Sequence, residues 1–510
     1  MWLQRIAPVD PPASKGRKRR SMQHFGGPVA EKQRLQTRVV PGAFLEPGER
    51  RLKSALRRAA IFAALLSSPL LPASAAGQTA HDALLLDLAD DASAARIESD
   101  IRRLAGFGTR HTLSETASET RGIGAARRWI KAEFEAISKE CGGCLEVFYV
   151  ADFVEGRPRI PQRTEIVNVV AVQRGRLDPD RVVMMTGDID SRVSDPLDGT
   201  SDSPGANDNA SGMAGAIEAA RVLSKHRFAG TIVYAGLSGE EQGLYGGEIL
   251  AKWAKEQGWR VKAVLNNDMI GNSAGIDGVV DNTTARVFSE GVRVVETPEE
   301  ARIRRFQGGE VDSPSRNLAR YIDRLADDYL ENLDVMMVYR LDRFSRGGHH
   351  RPFNEAGMPG VRIMETHEHY DRQHQDLREE NGRPYGDVIE GVDFDYAAKL
   401  TSLNIVALAA MAAAPPFPAG VAIEGAVSPS TTLKWTRPSG RAAQNLAGYK
   451  VYWRLTDAPQ WTWSRHVGDV AEATLENVVI DNYYFGVAAV AKDGAETPVV
   501  FPGPTGSFGD

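Results

Sequence analysis

Four acidic signals sit where short apolar runs end: Gly187-Asp188-Ile-Asp190-Ser191, Gly205-Ala-Asn-Asp208-Asn-Ala-Ser-Gly212, Ser238-Gly-Glu240-Glu241-Gln-Gly243 and Asn266-Asn-Asp268-Met-Ile-Gly271. Carboxylates gathered on one rim repel one another unless a cation neutralises them, so the chemistry they share is metal binding. A histidine should complete such a set, and His367, His369 and His374 arrive late, in Glu365-Thr-His-Glu-His-Tyr-Asp-Arg-Gln-His-Gln-Asp376. The adjacent pair Glu240-Glu241 can divide two tasks, one side chain binding metal while its neighbour takes the proton of an activated water. Each signal alone reads as a solvated turn. All four in this order, with Gly, Asn and Ser turn residues around them, read as a metal-dependent hydrolase.

These residues need a scaffold that brings strand ends together. Val182–Met185, Thr231–Leu237 and Val261–Leu265 read as buried strands, and Ser211–Lys225 and Gln242–Gln257 as amphipathic helices between them. That alternation predicts an α/β fold, a mostly parallel sheet with helices on both faces, which collects ligands at the carboxyl ends of its strands. A long helix, Phe394–Ala413, ends at Ala414-Pro-Pro-Phe-Pro418, a stop followed by a stiff linker. Beyond it, short alternating segments around Thr432–Trp435, Gly448–Arg454, Thr474-Leu475 and Tyr483–Val490 predict a small antiparallel sandwich.

Residues from about 95 to 413 resemble the co-catalytic zinc peptidases that include bacterial aminopeptidases, glutamate carboxypeptidase and glutaminyl cyclase. The motifs Gly-Ala-Asn-Asp-Asn-Ala-Ser-Gly, Ser-Gly-Glu-Glu-Gln-Gly and Asn-Asp-Met-Ile-Gly carry the likeness. The resemblance implies that Asp208 bridges two metals, Glu240 is the general base, Glu241 ligates one metal and Asp268 the other, with His374 as the late ligand. His367 and His369 fit that last role less well. It also implies zinc, as one or two ions, and a peptide or protein substrate.

Two departures from the family pattern stand out. Asp188-Ile-Asp190 occupies the place of a His-x-Asp, so one metal loses its imidazole and would be held by Asp188, Asp208 and Asp268. An all-oxygen shell suits Mg, Mn or Ca better than zinc, or leaves the position weakly filled. In Arg346-Gly-Gly-His349-His350-Arg-Pro-Phe353, His349 stands where the family has Asp. The exchange of His for Asp at one site and Asp for His at the other makes His349 a candidate compensating ligand. Asp190 and His350 are candidates for the surrounding shell.

Aminopeptidase action is the first expectation, from the resemblance and from a carboxylate-rich rim that suits a free amino terminus. Carboxypeptidase action would need cations aimed at a terminal carboxylate, and Arg340, Arg343, Arg346 and Arg362 are near in sequence, although the first three read better as a salt-bridged region. The alternatives are a glutaminyl cyclase-like acyltransferase and a catalytically impaired binding protein, both motivated by Asp188.

Composition sets the frame. The 510 residues carry 61 Lys and Arg against 67 Asp and Glu, with 42% apolar residues, an ordinary globular balance. Residues 1–60 hold 14 basic and 4 acidic residues, leaving 47 against 63 in the rest, an acidic body that offers nucleic acid nothing. Residues 1–58 read as a basic, disordered or non-native extension. Residues 59–76, an apolar stretch closed by Ala73-Ser-Ala75-Ala76, read as a signal peptide, so secretion or periplasmic export is expected without a stable membrane span. The pair Cys141 and Cys144 then reads as a local disulfide. The expected divisions are a peptidase domain over 77–413, the linker over 414–420 and a sandwich over 421–510. The last resembles a fibronectin type III domain, with Trp435 and Tyr449 as core aromatics. Trp461 and Trp463 are read as edge or loop surface, with a platform for carbohydrate or partner contact as the sharper alternative.

Overall fold

The computed structural model describes residues 79–509, all within one compact unit. The basic extension 1–58 and the expected signal peptide 59–76 lie outside the described residues. Helices α1 (Ala80–Ala89) and α2 (Ala94–Ala105) start at Thr79 and Ser93, whose side chains accept from the N–H groups of Asp82 and Arg96. Helix α3 (Gly122–Glu140) precedes a disulfide between Cys141 and Cys144. There follow β1 (Glu146–Val154), β2 (Thr164–Gln173), β3 (Asp178–Asp188), α4 (Ala210–Leu223), β4 (Gly230–Leu237), α5 (Glu240–Gly243), α6 (Tyr245–Glu256) and β5 (Arg260–Asn267). The second half brings β6 (Thr284–Phe288), α7 (Pro298–Gln307), α8 (Pro314–Tyr329), β7 (Asp334–Val338), α9 (His350–Glu355), β8 (Gly360–Glu365), a hairpin of β9 (Arg378–Glu380) and β10 (Arg383–Tyr385), and α10 (Phe394–Ala413).

Eight strands form one sheet in the order β1-β2-β4-β3-β5-β8-β6-β7. The centre, β4-β3-β5-β8, is parallel. The sheet as a whole is mixed, because β1 and β2 arrive as a hairpin-like pair and β6 runs against β8. Val183, Met185, Tyr234 and Leu265 point to a core shared with α2, α3, α4 and α10, while Met184, Val233, Leu237 and Val264 point to a second core under α6 and α9. Alternate residues of each central strand are therefore apolar on both faces, as buried parallel strands require. Helix α10 is long and apolar enough to cross a membrane, yet 89% of its apolar window is buried inside the protein, where it is a core helix.

The helix expected over Gln242–Gln257 is broken. Leu244 adopts φ 68° and separates the single turn α5 from α6. The break turns Glu240 and Glu241 toward the sheet edge while α6 packs tightly, since a Cβ on Gly246 would lie 2.3 Å from the Ser238 carbonyl oxygen.

After α10 come two three-stranded antiparallel sheets, β11-β12-β15 and β14-β13-β16. Their strands are β11 (Ala419–Glu424), β12 (Thr431–Thr436), β13 (Leu446–Leu455), β14 (Trp463–Gly468), β15 (Glu472–Leu475) and β16 (Tyr483–Ala491). Trp435 and Tyr449 meet in their shared core with ring centroids 5.0 Å apart. The segment after α10 is pinned: Arg181 donates to the carbonyls of Met411 and Ala414 at 2.8 and 2.7 Å, and Pro415, Phe417 and Pro418 are buried. Trp461 turns inward, its indole N–H donating to Asn317 on α8, whereas Trp463 is 40% exposed on β14 and stacks on Trp453.

Candidate metal centre

Every acidic signal lies at the carboxyl end of a central strand. Asp188 ends β3, Glu240 and Glu241 follow β4, Asp268 follows β5, and Asp208 sits in the loop that leads from β3 into α4. His374 comes from the loop after β8, at φ 55°, and the Asp208–Asn209 peptide is cis. Leu244, Met269 and Ser345 also have positive φ around this rim, an uncommon conformation for residues with a Cβ that is held here by the surrounding structure.

One three-donor cluster forms among the described residues: Asp208, Glu241 and His374 offer atoms that all lie within 4.8 Å of one another. His374 Nε2 is 3.0 Å from Asp208 Oδ2 and 3.1 Å from Glu241 Oε1. Two carboxylates and an imidazole aimed at one point match the donor set of a catalytic zinc site, which leaves a position for water or substrate. Burial lowers the His374 pKa, but Glu241 and Asp208 outweigh it and raise it to about 9. Asp208 and Glu241 are held below their ordinary values by His374, against the effect of burial.

The remaining predicted residues surround this cluster. Glu240 is held well above the carboxylate range by burial and by the charges of Asp268, Glu241, Asp188 and Asp208. A cation held among these carboxylates would oppose that effect and leave Glu240 able to act as a base. Asp190 accepts from the N–H groups of both Glu240 and Glu241 at 3.2 Å, fixing α5 from its amino end. Asp188 Oδ1 lies 2.5 Å from His349 Nδ1, so His349 is brought to Asp188 and is not part of the three-donor cluster. Asp268 Oδ2 lies 2.9 Å from Arg362. Burial raises Asp188 to about 8 and Asp268 to about 7. His350 bonds the Leu341 carbonyl at 2.8 Å, His367 pairs with Asp277 at 2.8 Å, and His369 lines a small adjoining cleft.

Several residues that hold the centre carry no motif of their own. Arg192 donates to Glu241 Oε2 at 2.8 Å, bracing that donor, and its Nη2 stands 2.7 Å from His374 Nδ1. Asp387 accepts from the N–H groups of Asn207 and Asp208 at 2.9 and 2.6 Å, and Gln373 donates to Asp208 Oδ2 at 3.2 Å. Asn209 ties Asp188 Oδ2 at 2.7 Å to the Asn267 carbonyl. Such partners act at long sequence separation, and only Asn209, inside a recognised motif, had a local signal.

The cluster opens into a cavity of about 660 Å³ whose wall includes Glu240, Glu248, Asp268, Arg343, Arg346, Glu355 and Tyr370. Arg343 and Arg346 lean on Glu368 at 3.1 and 2.8 Å.

The model of Peptidase family M28 matches residues 168–388, the span that contains all of these donors. A protein of Leptosphaeria maculans named a probable zinc metalloprotease is 45% identical over 418 residues, covering 82% of this chain and 96% of its own length. A protein of the same description from Pyrenophora tritici-repentis is 44% identical over 421 residues, covering 82% and 86%. Among solved structures, the Legionella pneumophila LapA aminopeptidase is similar at TM-score 0.46 and 18% identity, over 68% of this chain and 79% of that one. A Porphyromonas gingivalis glutaminyl cyclase is similar at TM-score 0.42 and 15% identity, over 62% and 98%.

Proposed function

The chain belongs to peptidase family M28, whose zinc metalloprotease relatives it matches over most of its length, and from that premise we propose that it is an exported aminopeptidase. The observation that carries the reading is the convergence of Asp208, Glu241 and His374 beside Glu240 at the floor of the cavity. Asp208, Glu241 and His374 would hold a zinc ion, whose Lewis acidity would serve to polarise a scissile carbonyl and acidify water. Glu240, fixed by the Asp190 contacts to its own and its neighbour's N–H, takes the proton of the attacking water and returns it to the leaving amine. Arg192 keeps Glu241 in place while this happens.

Two features support action at the amino end. The cavity wall carries Glu248, a carboxylate suited to an α-ammonium group, and Glu355, which pairs with Arg351 at 3.3 Å. Arg343 and Arg346, two of the five arginines on the cavity wall, are engaged by Glu368 and so less available to a terminal carboxylate. Export is supported by the apolar segment 59–76 and by the Cys141–Cys144 disulfide, which belongs to an oxidising compartment.

The test is product analysis on a peptide series with free, acetylated and glutamine-initiated amino ends, together with the amino-terminal sequence of the mature protein. Release of free amino acids from unblocked peptides alone is expected, with a mature chain starting near Ala76. Cleavage that tolerates the acetyl group, or pyroglutamyl products, would replace the aminopeptidase assignment.

A further inference from the structure

Asp188 and Asp268 stand beside the donor cluster, yet each already has a partner within the protein. The 2.5 Å contact between Asp188 Oδ1 and His349 Nδ1 requires a proton between them, and Asn209 donates to the other oxygen at 2.7 Å. Asp268 receives Nη2 of Arg362 at 2.9 Å, while Nη1 of the same guanidinium meets Asp342 Oδ2 at 3.3 Å and the Gly347 carbonyl at 2.8 Å. Arg362 and His349 are both fully buried. The arrangement is built in: a Cβ on Gly348 would come within 3.0 Å of Arg362 Nη1 and 2.9 Å of Asn266 Oδ1, so the Gly347-Gly348 turn is what lets the segment bearing His349 close over the arginine. Among the described residues, Asp188 and Asp268 complete no second three-donor cluster.

On the reading that the chain is a zinc peptidase, we propose that it works with one metal ion, and that the Arg362 guanidinium is the positioning group that permanently supplies the positive charge a second ion would bring to Asp268 and Asp188. Arginine keeps its charge at any working pH, and its planar fork can hold Asp268 and Asp342 at once. Buried carboxylates crowded at one rim demand cations, and one divalent ion with Arg192 and Arg362 provides them. A second ion at Asp268 would have to displace a guanidinium that has no solvent to move into.

The experiment is zinc stoichiometry of the full chain, by plasma mass spectrometry after equilibration with excess zinc and by calorimetric titration of the metal-free protein. Wild type is expected to saturate at about one ion, Arg362→Met at about two, and Arg362→Lys at about one, because the lysine restores the charge. Two tightly bound ions in wild type, or one in Arg362→Met, overturns the proposal and leaves the peptidase reading standing. Should Arg362→Met fail to fold, Asp268→Asn decides: unchanged affinity for the single ion is expected, and a tenfold or greater weakening shows Asp268 to be a ligand and overturns the proposal. A wild type that binds no zinc overturns both readings.

Discussion

At the scale of single residues, the centre separates groups that act from groups that hold. Glu240 ligates nothing in the cluster and lines the cavity. Glu240→Gln is therefore expected to lower kcat by about 10²–10⁴-fold with KM and zinc content little changed, measured by steady-state kinetics and metal analysis. Loss of zinc in that variant would recast Glu240 as a ligand. Arg192 belongs to the holding group through its bond to Glu241. Arg192→Met is expected to weaken zinc affinity by about 10–100-fold, read by competition with a chelating dye, while activity at saturating zinc falls less. The acting groups were legible in the sequence because carboxylates after strands, set in Gly and Asn turns, form local patterns. Arg192, Asp387 and Gln373 were not, since each reaches its partner only after the chain has folded, as with Gln373 and Asp208, 165 positions apart.

At the scale of elements, the centre depends on how closely α4 can approach the ends of β3 and β5. A Cβ on Gly212 would lie 2.2 Å from the Asn267 carbonyl oxygen, and one on Gly187 would lie 2.6 Å from the backbone of Gly212. Gly212→Ala must push α4 from the sheet and carry the Asp208 loop with it. The expected cost is about 1–3 kcal/mol by denaturant unfolding, with zinc affinity lowered in the same variant, because donors and packing share one joint. Unchanged stability and affinity would mean that the loop moves independently of the helix. Period and turn chemistry in the sequence sufficed for the central strands, α4 and α10, where apolar runs are long and unbroken. They did not reveal the antiparallel outer strands, because strand direction depends on which edge a segment joins, nor the break at Leu244, because a positive φ at leucine has no local signature.

At the scale of the whole molecule, two buried charge systems govern stability. Where α8 meets the terminal sheets, Asp312 accepts Arg320 at 2.9 Å and Arg454 at 2.7 Å, all three fully buried. Asp312→Ala leaves two guanidinium groups uncompensated and is expected to cost about 3–5 kcal/mol in denaturant unfolding, with the terminal sheets becoming accessible to protease first. The second system is the set of buried acids. Burial raises Glu365 to about 8, against hydrogen bonds from Asn207 and Asn272, and raises Glu290 to about 7. A carboxyl whose pKa is higher folded than unfolded keeps its proton in the native state where the unfolded chain has lost it. Rising pH therefore favours unfolding from the unfolded value, near 4.5, up to the folded one, at about 1.4 kcal/mol per unit and group, and the whole penalty stands above it. His374, raised to about 9 without metal, adds a loss of the same sign between its unfolded value near 6.5 and pH 9. The buried His349 and His350, lowered by burial to about 4, act in the opposite sense up to their unfolded value near 6.5, so the chelated protein should lose stability most clearly from pH 6.5 to pH 9, and Glu365→Gln should flatten the part of that slope below pH 8. Bound zinc replaces the His374 proton and neutralises its neighbours, so the gap in Tm between zinc-loaded and chelated protein should widen as pH rises from 6 to 8. A gap that narrows over that range would show that the carboxylates at the strand ends are not neutralised by the metal.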